Sequence, residues 1–111
     1  MKRKGFERII HIKECIEKIL KATHSTTRED LKNNEVLFAA LVRWIEIIGE
    51  ATKYVPDEIV NAYPQIPWKE MAGMRDIVVH DYDDVDTDEI WNVVQRDIPL
   101  LKRELDKITT S

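Results

Sequence analysis

Residues 34–55 read NEVLFAALVRWIEIIGEATKYV, and this stretch decides the fold. Its apolar residues recur at alternating steps of four and three, at Leu37, Leu41, Trp44, Ile48, Ala51 and Val55. This spacing predicts one long helix that Asn33 or Asn34 can cap and that runs to about Val55. The apolar stripe is widened by Ala40, Ile45 and Ile47. A stripe this wide places the helix at the centre of a bundle, or against a second subunit as well.

The sequence before this stretch predicts another long helix and a short helical turn. From about Phe6 to Thr23 the apolar residues again follow helical steps, at Ile9, Ile12, Ile16, Ile19 and Leu20. Cys15 is expected to pack beside that stripe as a small apolar residue. Thr26 and Glu29 have the spacing of a capping box, which indicates a short helical turn beginning there.

The sequence after the central stretch begins with two proline-marked boundaries. Pro56 ends the long helix and opens a short one, Asp57 to Ala62, whose acidic start suits a helix N-terminus. Pro67 is expected to begin a further helix, from Trp68 to about Val79 or Tyr82.

The last predicted helix runs roughly from Thr87 to Ile108, with Asp86 and Glu89 as its capping box. Pro99 falls well inside it and should produce a kink or a short interruption. Strand-like alternation is lacking at useful length in the sequence. The expected fold is therefore all-α, a four- to five-helix up-and-down bundle in which residues 1–111 form a single domain.

Composition narrows the possible functions. The chain has 111 residues, of which 43% are hydrophobic and 34% charged, with a single cysteine and a formal net charge of −4. One cysteine cannot form an internal disulfide, and no apolar run approaches the length of a membrane helix, so a cytoplasmic protein is expected. The acidic balance argues against a protein that holds nucleic acid mainly by neutralising phosphates. It is compatible with an enzyme that contacts RNA at one small cationic cleft.

The residues best suited to chemistry lie within 73–82, which read GMRDIVVHDY. On a helix, Asp76 and His80 are one turn apart, so the carboxylate can fix the imidazole tautomer. Arg75 and His80 diverge by roughly 140° on an ideal helix, and two chains related by a dyad could bring both into one cleft. With Tyr82 nearby, these groups form a metal-independent set for cleaving a phosphodiester with a ribose 2′-hydroxyl as nucleophile. The pattern thus predicts a homodimer.

Ordinary structural interpretations of the same region remain open. Arg75 with Asp76, and His80 with Asp81, can be surface ion pairs, with Tyr82 a half-buried packing residue. The aspartates at 84, 86 and 88 alternate like the start of a calcium loop but lack its later glycine and glutamate, so a solvated acidic loop is the simpler interpretation. His11 and His24 are expected to be solvated or to cap the C-terminal end of the first helix.

Four ordered motifs resemble the HepT-like branch of HEPN domains. Residues 75–82 match its Arg-x4-His-x-Tyr signature, and residues 47–51 resemble its second-helix motif. Residues 64–68, followed by residues 73–75, resemble the family's approach to its active site. Residues 85–86 with Trp91, and then residues 98–101, resemble its last helix. The resemblance is weaker over the first thirty residues, which match only in general character.

The resemblance implies an all-helical homodimer that cleaves RNA without a metal or other cofactor, with Arg75 and His80 catalytic. It also implies an MntA-like nucleotidyltransferase antitoxin that transfers AMP to Tyr82 and silences the nuclease. Asp76 stands where the family often has Asn; it can still support His80, although its charge would repel a phosphate. A different hypothesis is a non-catalytic binding subunit of a minimal nucleotidyltransferase.

Glu50 lies on the apolar central helix, where a carboxylate is costly unless it is paired. The simpler interpretation is a buried structural ion pair with an arginine. The functional interpretation is a supporting role beside the active-site helix.

Overall fold

The computed structural model describes residues 5–79 and 87–108, and the helical prediction for them is confirmed. In chain order the helices are α1 (Glu7–Thr23), α2 (Arg28–Lys32), α3 (Glu35–Lys53), α4 (Asp57–Ala62), α5 (Trp68–Val79), α6 (Thr87–Asn92) and α7 (Ile98–Leu105), with a π-helical turn, Val93–Asp97, between the last two. The described residues contain no strand. Most predicted boundaries agree within two residues, and α4 matches exactly the predicted span.

Helix α3 is the central element, as its wide apolar stripe predicted. It packs against α1, α5, α2 and α6. Leu41, Ile45 and Ile48 are fully buried. The choice left open for its N-cap resolves in favour of Asn34, whose side-chain oxygen accepts a hydrogen bond from the Leu37 backbone N–H at 3.0 Å.

Helix α1 presents the predicted stripe to the core, where Ile9, Ile12, Ile16 and Ile19 are fully buried. Cys15 is buried beside them, as expected. Burial raises the pKa of its thiol, which keeps the sulfur protonated and unreactive. Cys15 is thus a core residue.

The predicted capping box at Thr26 and Glu29 is wrong by one residue. Thr27 caps α2 instead: its side chain accepts a hydrogen bond from the Asp30 N–H, and the Asp30 carboxylate accepts one from the Thr27 N–H, both at 3.0 Å. The Thr26 hydroxyl donates to the Ala22 carbonyl at 3.3 Å, so this threonine belongs to the end of α1. The predicted Asp86–Glu89 box involves a residue outside the described ranges.

The predicted disturbance at Pro99 is confirmed as the π-helical turn just before it. Pro99 has no N–H to donate, and its ring crowds the carbonyl one turn earlier. The Ile98 N–H donates to the Val93 carbonyl, five residues back, which is the π pattern. The helix then ends at Leu105 rather than Ile108, although the Ile108 side chain remains buried.

Candidate active site

Helix α5 carries the predicted catalytic arginine. Its first two turns are anchored by a hydrogen bond at Trp68 and by two buried methionines. The Trp68 indole N–H donates to the Tyr63 carbonyl at 2.9 Å, which holds the start of the helix. Met71 and Met74 are buried. Arg75 follows Met74 directly and therefore lies at the edge of the core, half-buried.

Gly49 permits an unusually close approach of α3 to α5 at Arg75. A Cβ atom at position 49 would lie 2.6 Å from the Arg75 backbone N, 2.9 Å from its Cβ and 3.2 Å from the Ala72 carbonyl oxygen. Only glycine fits such a contact without displacing backbone. Because Gly49 has no side chain, the Arg75 backbone packs directly against the central helix.

The next residue on α3, Glu50, fixes the other end of Arg75. Its Oε2 lies 3.3 Å from Arg75 Nη1, and the two side chains are 41% and 39% exposed, respectively. Within the described part of the chain, this Oε2 atom is buried and forms no hydrogen bond of good geometry. The carboxylate thus holds one edge of the guanidinium by charge, while part of the Arg75 side chain stays open to solvent.

This contact decides between two interpretations of the sequence. The prediction that Glu50 pairs with an arginine is confirmed, and the arginine is Arg75 itself. The expectation that this pair is buried is wrong, because both side chains are about two-fifths exposed at the edge of the core. The surface pair between Arg75 and Asp76 that the sequence left open is not among the ion pairs recorded for residues 5–79 and 87–108, where Arg75 pairs with Glu50. Sequence reasoning did not connect Glu50 with Arg75. The signal for such a close contact is Gly49, a glycine inside the long helix α3.

The other predicted site residues are described only in part. Asp76 is exposed on α5, and the helix continues to Val79, the residue before His80. His80 and Tyr82 lie outside the described residues, as do Asp81 and the aspartates at 83, 84 and 86. The predicted roles of His80 and Tyr82, and the predicted Asp76–His80 contact, therefore stay predictions.

In the acidic stretch after this site, the described residue Asp88 forms an ion pair with Arg28. Arg28 Nε donates to Asp88 Oδ1 at 2.6 Å, which links α2 to α6. This hydrogen bond lowers the pKa of Asp88 below its ordinary value. Residues 5–79 and 87–108 contain no cluster of His, Cys, Asp and Glu arranged to hold a metal ion. The same ranges include no helix long and apolar enough to span a membrane.

Comparison with known proteins identifies the family. The model of the family described as "Ribonuclease HepT-like" matches residues 12–108. The chain belongs to the HepT-like ribonuclease family. The predicted resemblance is thereby confirmed.

Relatives of this HepT-like chain carry ribonuclease names. It is 40% identical over 108 residues to a "Probable ribonuclease HepT" of Thermococcus cleftensis, covering 97% of this chain and 98% of the relative. It is 41% identical over 97 residues to a "Putative RNase" of Methanocaldococcus jannaschii, covering 87% and 80% of the two chains.

A longer relative also matches. A "Gamma-glutamylcyclotransferase and putative RNase" of Methanocaldococcus jannaschii is 48% identical over 98 residues, which is 88% of this HepT-like chain and 44% of the relative. This chain therefore spans less than half of that relative's length. No solved structure matches the chain significantly.

Proposed function

We propose that this chain is a metal-independent endoribonuclease of a type VII-like toxin–antitoxin system, acting as a single 1–111 domain in a homodimer. The observation that carries the proposal is the placement of Arg75. Gly49 and Glu50 hold its backbone and one edge of its guanidinium, and the side chain is 39% exposed. A preorganised cation at a surface is what a developing phosphorane charge requires. Membership of the HepT-like family supports RNA as the substrate.

In the proposed reaction each residue has a distinct task. The ribose 2′-hydroxyl attacks the adjacent phosphorus, and the 5′-oxygen of the next nucleotide leaves. His80 transfers the protons as general base and acid. Arg75 stabilises the charge on the phosphorane oxygens, and Asp76 orients the His80 imidazole and favours its charged form.

The proposed active site is shared between two copies of the chain. Arg75 and His80 diverge on one ideal helix, so a single copy directs them toward different sides. A two-fold axis beside α5 would let two copies supply both groups to one cleft. Light scattering of the purified protein should give twice the mass of one chain.

Cleavage of RNA tests this proposal directly. The purified protein should cleave single-stranded RNA in the presence of EDTA, because the proposed chemistry uses no metal. His80→Ala should lower the cleavage rate by about 10²–10⁴-fold, since it removes the proton-transferring group. Arg75→Ala should lower it by about 10²–10³-fold.

His24→Ala is the matched control for the histidine variant. His24 is exposed at the C-terminal cap of α1, so its replacement should leave cleavage unchanged. Equal RNA cleavage by the wild type and by His80→Ala would contradict the proposal and point to a contaminating nuclease.

The proposed regulation is AMP transfer to Tyr82 by a cognate MntA-like nucleotidyltransferase. A bulky anionic nucleotide close to His80 would block access of an RNA phosphate. After co-expression with the proposed nucleotidyltransferase partner, the intact mass of the chain should rise by whole AMP units. Tyr82→Phe should remove the shift, and an unmodified wild-type chain would count against this step.

A second candidate function is a non-catalytic binding subunit of a minimal nucleotidyltransferase. The net charge of −4, the pairing of Arg75 with Glu50 and the exposed Asp76 all favour it, because each weakens attraction for a phosphate. This function predicts a stable complex with the nucleotidyltransferase and no growth arrest on expression alone. Growth arrest that depends on Arg75 and His80 would exclude it.

A further inference from the structure

A cleft of about 490 Å³ lies between the start of α1 and the end of α3. One wall comes from the first turns of α1, with Glu7, Arg8 and His11, and the other from Tyr54 and Pro56. Gly5 brings the walls together. Its φ is +91°, and a Cβ there would lie 2.7 Å from Pro56 Cγ, so the chain can approach Pro56 only with glycine at this position.

Tyr54 is the most unusual residue of this cleft. It is an aromatic residue with 65% of its surface exposed, although other large aromatic residues of the described chain pack against the core. The Arg8 guanidinium carbon lies 5.3 Å from the centre of its ring, within the range of a cation–π contact. The ring is thus supported by a cation at the surface rather than buried.

Helix α3 connects the cleft to the proposed active site. Tyr54 directly follows α3 and lies one helical turn beyond Glu50, the partner of Arg75. Four residues of helix correspond to a rise of about 6 Å, so Tyr54 and Glu50 lie near the same side of α3. A strand bound at Arg75 and running along α3 toward its C-terminal end would reach Tyr54.

The charges in the cleft indicate which part of such a strand fits. Arg8 supplies a positive charge, Glu7 a negative charge and His11 an exposed imidazole. This mixed set is a poor site for a bare phosphate. An aromatic ring beside an arginine is well suited to stack a nucleobase, and Glu7 and His11 offer hydrogen bonds to base edges or to a ribose hydroxyl.

We propose that the cleft formed by Arg8, His11 and Tyr54 binds a nucleobase of a single-stranded RNA whose scissile phosphate lies at Arg75. This inference rests on the proposed ribonuclease function and adds a substrate-binding position to it. Because stacking depends on the ring rather than on a particular base edge, the cleft favours unpaired RNA with little sequence preference.

RNA affinity tests the inference. Fluorescence anisotropy with a labelled single-stranded RNA of about ten nucleotides is measured in the His80→Ala background, which keeps the RNA intact. Tyr54→Ala should raise Kd by about tenfold through loss of stacking, and Tyr54→Phe should keep the affinity because it keeps the ring. Arg8→Gln should raise Kd severalfold. Val36→Ala and Arg43→Gln are the controls, since these residues are exposed on α3 away from the cleft, and both should leave Kd unchanged.

Two results would overturn the inference. The first is an unchanged Kd for both Tyr54→Ala and Arg8→Gln. The second is a change of oligomeric state in Tyr54→Ala by light scattering, which would assign the ring to a contact between copies. Failure of the proposed function looks different, because the wild-type chain would then cleave no RNA while the anisotropy measurement still reports on the cleft.

Discussion

At the scale of single residues, Arg75 is held on the side that faces α3. Its backbone lies against Gly49, and its Nη1 meets a buried oxygen of Glu50 at 3.3 Å. A guanidinium carries five N–H donors, so one contact to Glu50 leaves others for a phosphate. We therefore interpret Glu50 as a positioning residue for Arg75.

Replacing Glu50 tests this role. Glu50→Ala should lower the rate of RNA cleavage at saturating RNA by about tenfold or more, because a misplaced guanidinium stabilises the transition state poorly. In an Arg75→Ala background the same change should cause no further loss, since Glu50 acts through Arg75. Glu50→Ala should change the free energy of unfolding by less than about 1 kcal/mol, because Glu50 and Arg75 are both about two-fifths exposed.

Glu46→Ala provides the matched control on the same helix. Glu46 Oε1 accepts from Arg43 Nη1 at 2.7 Å in an exposed pair one turn earlier, so breaking that pair should leave cleavage unaltered. A Glu50→Ala variant that cleaves faster than the wild type would contradict the positioning role and show that Glu50 competes with the phosphate.

At the scale of helices, the packing of α5 on α3 sets the position of the candidate site. The two helices touch closely where Gly49 faces Arg75 and Ala72. Gly73 is different, because a Cβ there would have nothing within 4 Å. The contact between the two helices therefore requires glycine at position 49, whereas position 73 has room for a side chain.

A pair of alanine substitutions distinguishes them. Gly49→Ala should lower the free energy of unfolding by about 1–3 kcal/mol, because the new methyl group would meet backbone atoms of α5. Gly73→Ala should raise it by about 0.5–1 kcal/mol through better helix propensity. Urea denaturation measures both changes, and equal stabilities for the two variants would argue against the close approach of α3 to α5.

At the scale of the whole molecule, the buried cluster joins residues from every described helix and includes Cys15 on α1. The side chain of Cys15 is 1% exposed, and burial raises the pKa of its thiol. A thiol reagent therefore reaches it only when the core opens.

Thiol reactivity thus reports on global stability. Cys15 should react slowly with a thiol reagent in the native protein and rapidly in denaturant, as absorbance of the released chromophore would show. The pKa of the Cys15 thiol is higher in the folded protein than in the unfolded chain. As pH rises, the unfolded chain therefore loses the thiol proton first, and the contribution of Cys15 to stability declines above the ordinary thiol pKa. Rapid native labelling would contradict the burial of Cys15.

The sequence by itself determined the helices, because their signals are local. Apolar spacing marked α1 and α3, proline marked the start of α4 and the π-helical turn, and asparagine marked the cap of α3. It also indicated the proposed catalytic motif, since Arg75, Asp76 and His80 lie within a few residues of one another. The capping box of α2 was missed by one residue because adjacent threonines and acids satisfy the same spacing.

Only the tertiary structure decided which groups meet across helices. The sequence required a partner for Glu50 but could not name Arg75, because that choice depends on the rotation and separation of α3 and α5. Both are set by contacts between residues distant in the chain, here the missing side chain of Gly49. The same holds for Arg8 and Tyr54, which come together because Gly5 brings the start of α1 against Pro56. Local patterns fix helices, whereas long-range packing fixes the geometry between them.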